Sequence, residues 1–231
     1  DNKPDIIFLE LPPCQTLNEY SSLIDLSNQT KIPIIVNFSR RFNTDISTLK
    51  DFISKNKFGQ LIRISGAYYN GWFHNGIHFI DTIIYLLNED IKVTKISNLN
   101  YCSYQNDKTF DVIAETSHTK IPIEIRAIDE RNYQLFEFDF WFSEARIRIE
   151  TMGDSIFLEK PYFNSMNEKV LEKKAIFLPN RKYTNIENAY NKLCTALELS
   201  DFADLKDFTL QNSESTMRTI LDEIKLFKKN Y

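Results

Sequence analysis

Two of the three histidines in this 231-residue chain stand four residues apart, in Phe73-His74-Asn75-Gly76-Ile77-His78-Phe79-Ile80-Asp81 at the head of a strongly apolar run. Read at helical period, His74, His78, Asp81 and Tyr85 form one polar stripe. Ile77, Ile80, Ile84 and Leu87 form an apolar stripe beside it. Such a pairing can aim imidazole chemistry into a pocket. An imidazole titrates near neutrality and can act as general acid or base on a hydroxyl. Two imidazoles one turn apart can also hold a metal, but the glutamate of H-E-x-x-H and an obvious third ligand are both missing, so no metal is expected. Asp81, one turn beyond His78, can fix that histidine's tautomer or simply accept bonds from backbone or an arginine. For His78 the plainer alternative is a helix-end histidine bonded to backbone. His118 falls in a predicted strand turn and reads as a solvated bystander.

Other candidates flank the motif. Arg40 and Arg41 follow an apolar strand, at the carboxyl end where open α/β sheets bind ligands, and can grip a phosphate or carboxylate. Surface salt bridging is their alternative role. Tyr68, Tyr69 and Trp72 can wall a ligand site or serve as core aromatics. Asn75 lies between the histidines and can position a hydroxylated ligand.

The elements that must position these residues follow from periodicity. Asp5–Glu10 and Ile32–Phe38 read as short buried strands. Between them Thr16-Leu17-Asn18-Glu19 is a capping box opening a helix to about Asn28. Strand, helix and strand in that order make a βαβ unit and favour a parallel sheet. A helix from roughly Thr44 to Lys55 and a strand over Gln60–Tyr69 follow, then the histidine helix to about Asn88. Beyond it the period becomes two: Ile121, Ile123 and Ile125, then Phe136, Phe138, Phe140 and Phe142, then Ile147 and Ile149, alternate with polar and charged residues. That describes an antiparallel sheet with one open face. Helices over about Ile186–Leu199 and Glu214–Lys229 close the chain. The expected fold class is α/β with an α+β C-terminal part: a remnant βαβ over residues 1–38, then over 39–231 a large, mostly antiparallel open-faced sheet with helices on one side.

Composition bounds the function. The net charge is −4 with both signs interspersed, so no nucleic-acid footprint is expected. No apolar run reaches membrane-spanning length and no signal-peptide pattern is visible, so a soluble, cytoplasmic protein without a membrane partner is expected. Cys14, Cys102 and Cys194 are few, odd in number and scattered, which predicts reduced thiols. The five glycines, Gly59, Gly66, Gly71, Gly76 and Gly153, nowhere approach G-x-G-x-x-G or a P-loop. A chain that starts at Asp1 just ahead of an apolar strand is expected to be a piece of something longer.

The order Glu10-Leu11-Pro12, Asn37-Phe38-Ser39-Arg40-Arg41-Phe42 and Gly76-Ile77-His78-Phe79-Ile80-Asp81, each on its expected element, resembles the glucose–fructose oxidoreductase/inositol dehydrogenase family, often called Gfo/Idh/MocA. The hairpin over Phe136–Ile149 is also similar to that family's long sheet hairpin. The resemblance implies a Rossmann domain binding NAD or NADP, represented here by residues 1–38, and a substrate and oligomerisation domain over 39–231. It implies hydride transfer to or from a sugar or sugar-nucleotide hydroxyl, and a homo-oligomer formed through the open sheet. His78 matches the family's catalytic histidine. His74 stands at its aspartate position and Leu11 at its lysine position. The His-Asn-Gly-x-His version is similar to a branch associated with sugar-nucleotide and surface-polysaccharide metabolism. On this reading His78 and His74 are catalytic, Glu10, Pro12 and Arg40 contact cofactor, and Asn75, Tyr68, Trp72, Arg41 and Asp81 contact substrate. Leucine neither donates a hydrogen bond nor carries charge, so Leu11 and the absent glycine cradle imply a chain that binds the cofactor poorly by itself. The alternative is a non-catalytic ligand-binding or oligomerisation relative built on the same sheet.

Overall fold

Ile7–Leu9 (β1) and Ile34–Val36 (β2) pair in parallel, joined by helix α1 over Leu17–Thr30. The computed structural model describes residues 3–177 and 183–230 and, within them, all side chains but those of 173–176 and 223–230. Thr16 and Glu19 cap α1 reciprocally: the Glu19 amide donates to Thr16 Oγ1 at 3.1 Å, and the Thr16 amide to Glu19 Oε2 at 3.1 Å. β2 is buried on both faces, Ile34 and Val36 against the main core and Ile35 against a second cluster with Phe42, Leu193 and Phe208. Helix α4 (Asn185–Leu199) contributes Ala189, Leu193 and Ala196 to that second cluster. Two-sided burial is why these strands read as continuous apolar runs.

The change of period after residue 38 is a change of sheet. The second sheet has eight strands: β3 (Leu61–Tyr69), β4 (Ile91–Asn100), β5 (Thr109–Thr116), β6 (Pro122–Ile128), β7 (Glu137–Phe142), β8 (Arg146–Glu150), β9 (Ser155–Phe163) and β10 (Lys169–Ile176). Their spatial order is β10-β9-β8-β7-β3-β6-β5-β4, and only β3 and β6 run parallel. Helices α2 (Thr44–Ser54), α3 (Ile77–Leu87) and α5 (Glu214–Asn230) gather on one face. Phe79 of α3 stacks on Phe138 of β7 with ring centroids 4.1 Å apart. That close approach requires Gly66 on β3, since a Cβ there would lie 2.5 Å from the Phe79 ring and 2.3 Å from the Glu137 carbonyl oxygen.

The other face carries charges that pair along the strands. Asp139 accepts from Arg146 Nε at 3.0 Å and from Arg148 Nε at 3.1 Å, and Arg126 donates to Asp111 at 3.0 Å. Among the described residues no helix is long and apolar enough to cross a membrane. Cys14, Cys102 and Cys194 are all free thiols.

Candidate functional site

The histidine motif does not begin as an α-helix. Trp72–Gly76 is a π-turn, in which the Gly76 amide donates to the Gly71 carbonyl at 2.9 Å and the Ile77 amide to that of Trp72. The wider turn holds an extra residue, so four positions no longer complete one revolution. The expected straight stripe is broken at this point. His74 is exposed and Asp81 is 1% exposed. His78 lies between them, half-buried.

A loop far along the chain sets this turn. Gly71 donates its amide to Thr109 Oγ1 at 2.7 Å, and Trp72 donates to the Lys108 carbonyl at 2.7 Å. The Phe73 and His74 amides donate to the two oxygens of Asp107 at 3.1 and 3.0 Å. Four successive amides at a helix start are thereby satisfied, where an unsatisfied buried amide costs about 1–3 kcal/mol. Burial pushes the Asp107 carboxyl up, and the amides of Phe73, Lys108, His74 and Trp72 oppose that shift. Gly71 sits at φ +97°, and a Cβ there would lie 2.0 Å from Asp107 Oδ2. Gly71→Ala should therefore cost at least about 1–3 kcal/mol in urea unfolding, from backbone strain alone. A change below about 0.5 kcal/mol would show that the turn does not hold Gly71 at positive φ.

A groove of about 410 Å³ opens beside the turn, lined by Pro12, Gln15, Phe73, His74, Tyr104, Asn106 and Asp107. His74 and Tyr104 stack within it, ring centroids 3.6 Å apart and planes 25° from parallel. The groove lies at the chain turn leaving β1, the carboxyl end of the parallel pair, where open α/β sheets bind ligands. Its volume suits a small molecule.

His78 is placed one turn further on and is not among the lining residues. Its imidazole makes no hydrogen bond to any described residue, so the backbone-bonded alternative does not hold. Burial, then the nearby Arg40 and His74, pull its pKa down to about 3. In the unfolded chain it titrates near ~6.5. The stabilisation of the neutral form is therefore fully present above pH 6.5 and is lost as pH falls towards 3. Between pH 6.5 and 5 the wild type should lose stability by up to ~1.4 kcal/mol per pH unit more than His78→Gln does. Parallel melting curves for the two proteins over that window would contradict a desolvated His78.

Several expected site residues take other roles. Tyr68 and Trp72 are 0% and 1% exposed and belong to the core instead of walling a ligand site. The Tyr68 hydroxyl donates to the Phe110 carbonyl at 2.8 Å, and Trp72 Nε1 donates to the Ile220 carbonyl at 3.2 Å. Arg41 and Asp81 are turned on each other: Arg41 Nη2 lies 2.5 Å from Asp81 Oδ1, with both side chains under 5% exposed. Asp81 also accepts from Thr216 Oγ1 at 2.9 Å, and Arg41 Nη1 donates to the Asp207 carbonyl at 2.7 Å. This pair braces α3 against α5, and Asp81 does not fix the His78 tautomer. Asn75 is half-buried and outside the groove lining.

Of the residues expected to touch cofactor, Pro12 lines the groove. The Glu10 carboxylate accepts from Asn37 Nδ2 at 2.9 Å, bridging the ends of β1 and β2. The Arg40 guanidinium lies 3.9 Å over the Phe136 ring and donates to the Met152 carbonyl, towards the large sheet. Leu11 packs against the core. The start of α1, in the turn that leaves β1, is closed by its own capping box with the Glu19 carboxylate at its head. A dinucleotide pyrophosphate does not fit there. Among the described residues no group of three His, Cys, Asp or Glu side chains is placed to hold a metal. His118 is exposed in the β5–β6 turn and donates its amide to Glu89. Tyr104, Asn106 and Asp107 gave no sequence signal, because a polar loop becomes a groove wall only through its distant bonds to Gly71–His74.

No family model and no curated protein matches the chain. Solved structures do share its fold. A super-repressor mutant of Gal80p from Saccharomyces cerevisiae matches with a TM-score of 0.72 at 14% identity, over 98% of this chain and 71% of that one. A dehydrogenase from Clostridium difficile matches with a TM-score of 0.66 at 16% identity, over 95% and 70%. A 3-ketoreductase from Actinomadura kijaniata, solved with NADP, matches with a TM-score of 0.68 at 11% identity, over 94% and 68%. The fold is that of the Gfo/Idh/MocA-type oxidoreductases, as the motif order implied.

Proposed function

We propose that this chain forms the substrate side of an NAD(P)-dependent oxidoreductase acting on a sugar or sugar-nucleotide hydroxyl, with residues 1–38 as the nucleotide-domain part and 39–231 as the substrate and oligomerisation part. The carrying observation is the unbonded, neutral imidazole of His78 one turn beyond a groove at the carboxyl end of β1. NAD(P) would supply hydride acceptance when bound. His78 would take up the hydroxyl proton, His74 would orient the ring bearing that hydroxyl, and Tyr104 would keep water from the imidazole face. An imidazole neutral at physiological pH has no imidazolium proton to give and can only accept one, which suits oxidation of an alcohol, although its low pKa makes it a weak base in the free chain. Burial, Arg40 and His74 disfavour the imidazolium, and the negative charge developing on the reacting oxygen would offset that cost. The paired charges of the open face would form a wet contact between copies.

The test is reduction of NAD or NADP by the protein across a panel of sugars and sugar nucleotides. Turnover with at least one of them is expected; saturable binding without turnover favours the second reading. That reading is a non-catalytic ligand-binding relative, and Leu11 is the observation in its favour. The fold is shared with a transcriptional regulator, Gal80p from Kluyveromyces lactis, with a TM-score of 0.68 at 16% identity over 96% of this chain and 68% of that one.

A further inference from the structure

The groove lies at the start of α3, and a second, smaller cavity of about 130 Å³ lies at its other end. It is lined by Lys50 of α2, by Tyr85 and Asn88 at the end of α3, and by Arg41, Asp207 and Asn212. The Arg41 guanidinium is already engaged, since its nitrogens donate to Asp81 and to the carbonyls of Asp207 and Asn212.

The other polar groups are not engaged. Lys50 Nζ rests 3.9 Å from the centroid of the Tyr85 ring. Among the described residues it is in no hydrogen bond or ion pair, and the same holds for the Asp207 carboxylate, the Tyr85 hydroxyl and the Asn88 side-chain amide. Lys50 and Asp207, both half-buried, are therefore opposite charges that line one cavity without closing on each other. Burial pulls the Lys50 pKa down, Asp207 opposes that shift and Arg41 adds to it. The ammonium is short of negative charge.

A lone carboxylate set on Lys50 would stand near the Asp207 carboxylate, and a lone ammonium set on Asp207 would face Lys50 and Arg41. In a half-buried cavity such repulsions are poorly screened. A molecule that carries both charges meets each wall with its opposite. The C-terminal end of α3, capped by Asn88, carries partial negative charge and favours the ligand's cation there. An ammonium has three donors, enough for Asp207 and the side-chain oxygens of Asn88 and Asn212. Asn212 Nδ2 is held on the Lys206 carbonyl at 2.5 Å, which leaves its Oδ1 as the acceptor.

We propose that the cavity between Lys50 and Asp207 binds a small α-amino acid, its carboxylate on the Lys50 ammonium and the Tyr85 hydroxyl and its ammonium on Asp207. The volume is below the roughly 300–1,000 Å³ of sites for drug-sized ligands, so glycine, alanine and serine are the expected sizes. Bound there, the amino acid ties α2, the end of α3 and the segment 203–213 together. The site shares no lining residue with the groove and stands whether or not the chain transfers hydride.

Chemical-shift mapping of the full chain tests this, with glycine, alanine and serine in one arm and propionate and ethylamine, which each carry one of alanine's two charges, in the other. At least one amino acid should shift the Tyr85 ring and Asn88 side-chain amide resonances saturably, with propionate and ethylamine weaker by about tenfold or more. Asp207→Asn keeps the shape and removes the anion, and should erase the amino acid's advantage over propionate. Lys50→Met keeps the stem on Tyr85 and removes the cation, and should erase the advantage over ethylamine. Neither side chain holds another bond among the described residues, so both variants should melt as the wild type does. Propionate or ethylamine binding as tightly as the amino acids in the wild type would overturn the proposal. So would a preference that survives both substitutions, or a cavity that no amino acid perturbs.

Discussion

Arg41→Met should cost about 3–5 kcal/mol of stability, because it leaves the Asp81 carboxylate buried without its cation. Arg41 donates from Nε and Nη2 to Asp81, and Nη1 reaches the carbonyls of Asp207 and Asn212. The single variant therefore strands a charge and two carbonyl acceptors where α3, α5 and the 203–213 segment meet. Arg41→Met with Asp81→Leu removes both charges and should recover much of the loss, since apolar replacement of a buried ion pair is often close to neutral. Urea unfolding distinguishes the outcomes through the midpoint at unchanged slope. A single variant within about 1 kcal/mol of wild type would mean that the pair is open to solvent and the bracing account is wrong.

His78→Gln should lower kcat/KM for the proposed oxidation by about 10²-fold, the low end of a general base's usual contribution, because its depressed pKa weakens it as a base. The loss should fall on kcat and leave KM nearly unchanged, because a proton taken up only in the transition state adds nothing to ground-state binding. With a pKa near 3, the wild-type rate should show no inflection around the ordinary histidine value. A steep acid limb centred near ~6.5 would mean that His78 is solvated during turnover or that another group is the base.

The parts of this architecture read most clearly from sequence are those with local causes. The Thr16–Glu19 box opens α1 as its spacing requires, and alternating Phe136, Phe138, Phe140 and Phe142 lie on the helix-covered face of the sheet. The helix over Thr44–Ser54 follows from Asn43, whose Oδ1 accepts the Asp45 and Ile46 amides. The site was less legible. A π-turn adds one residue without changing which types are apolar, so His74 and His78 kept a plausible helical spacing. Tyr68 faces the core because Ile64, Gly66 and Tyr68 share one side of β3 under Phe79, a matter of register that aromatic composition does not reveal. Arg41 and Asp81 were each visible as charges, but their pairing needed α3 and the segment after β2 to meet. Asp107 stands 33 residues from the amide of His74 that it accepts, beyond the reach of any motif spacing.

Hydride transfer is the step that the His78 helix and the groove beside it would serve. Incubating the intact protein with NAD(P) and a sugar deuterated at its ring carbons follows that step atom by atom. The account predicts deuterium on the nicotinamide ring in wild type and little or none in His78→Gln. A ligand that saturates the groove, shifts Tyr104 and His74, and still leaves the nicotinamide unlabelled would contradict it.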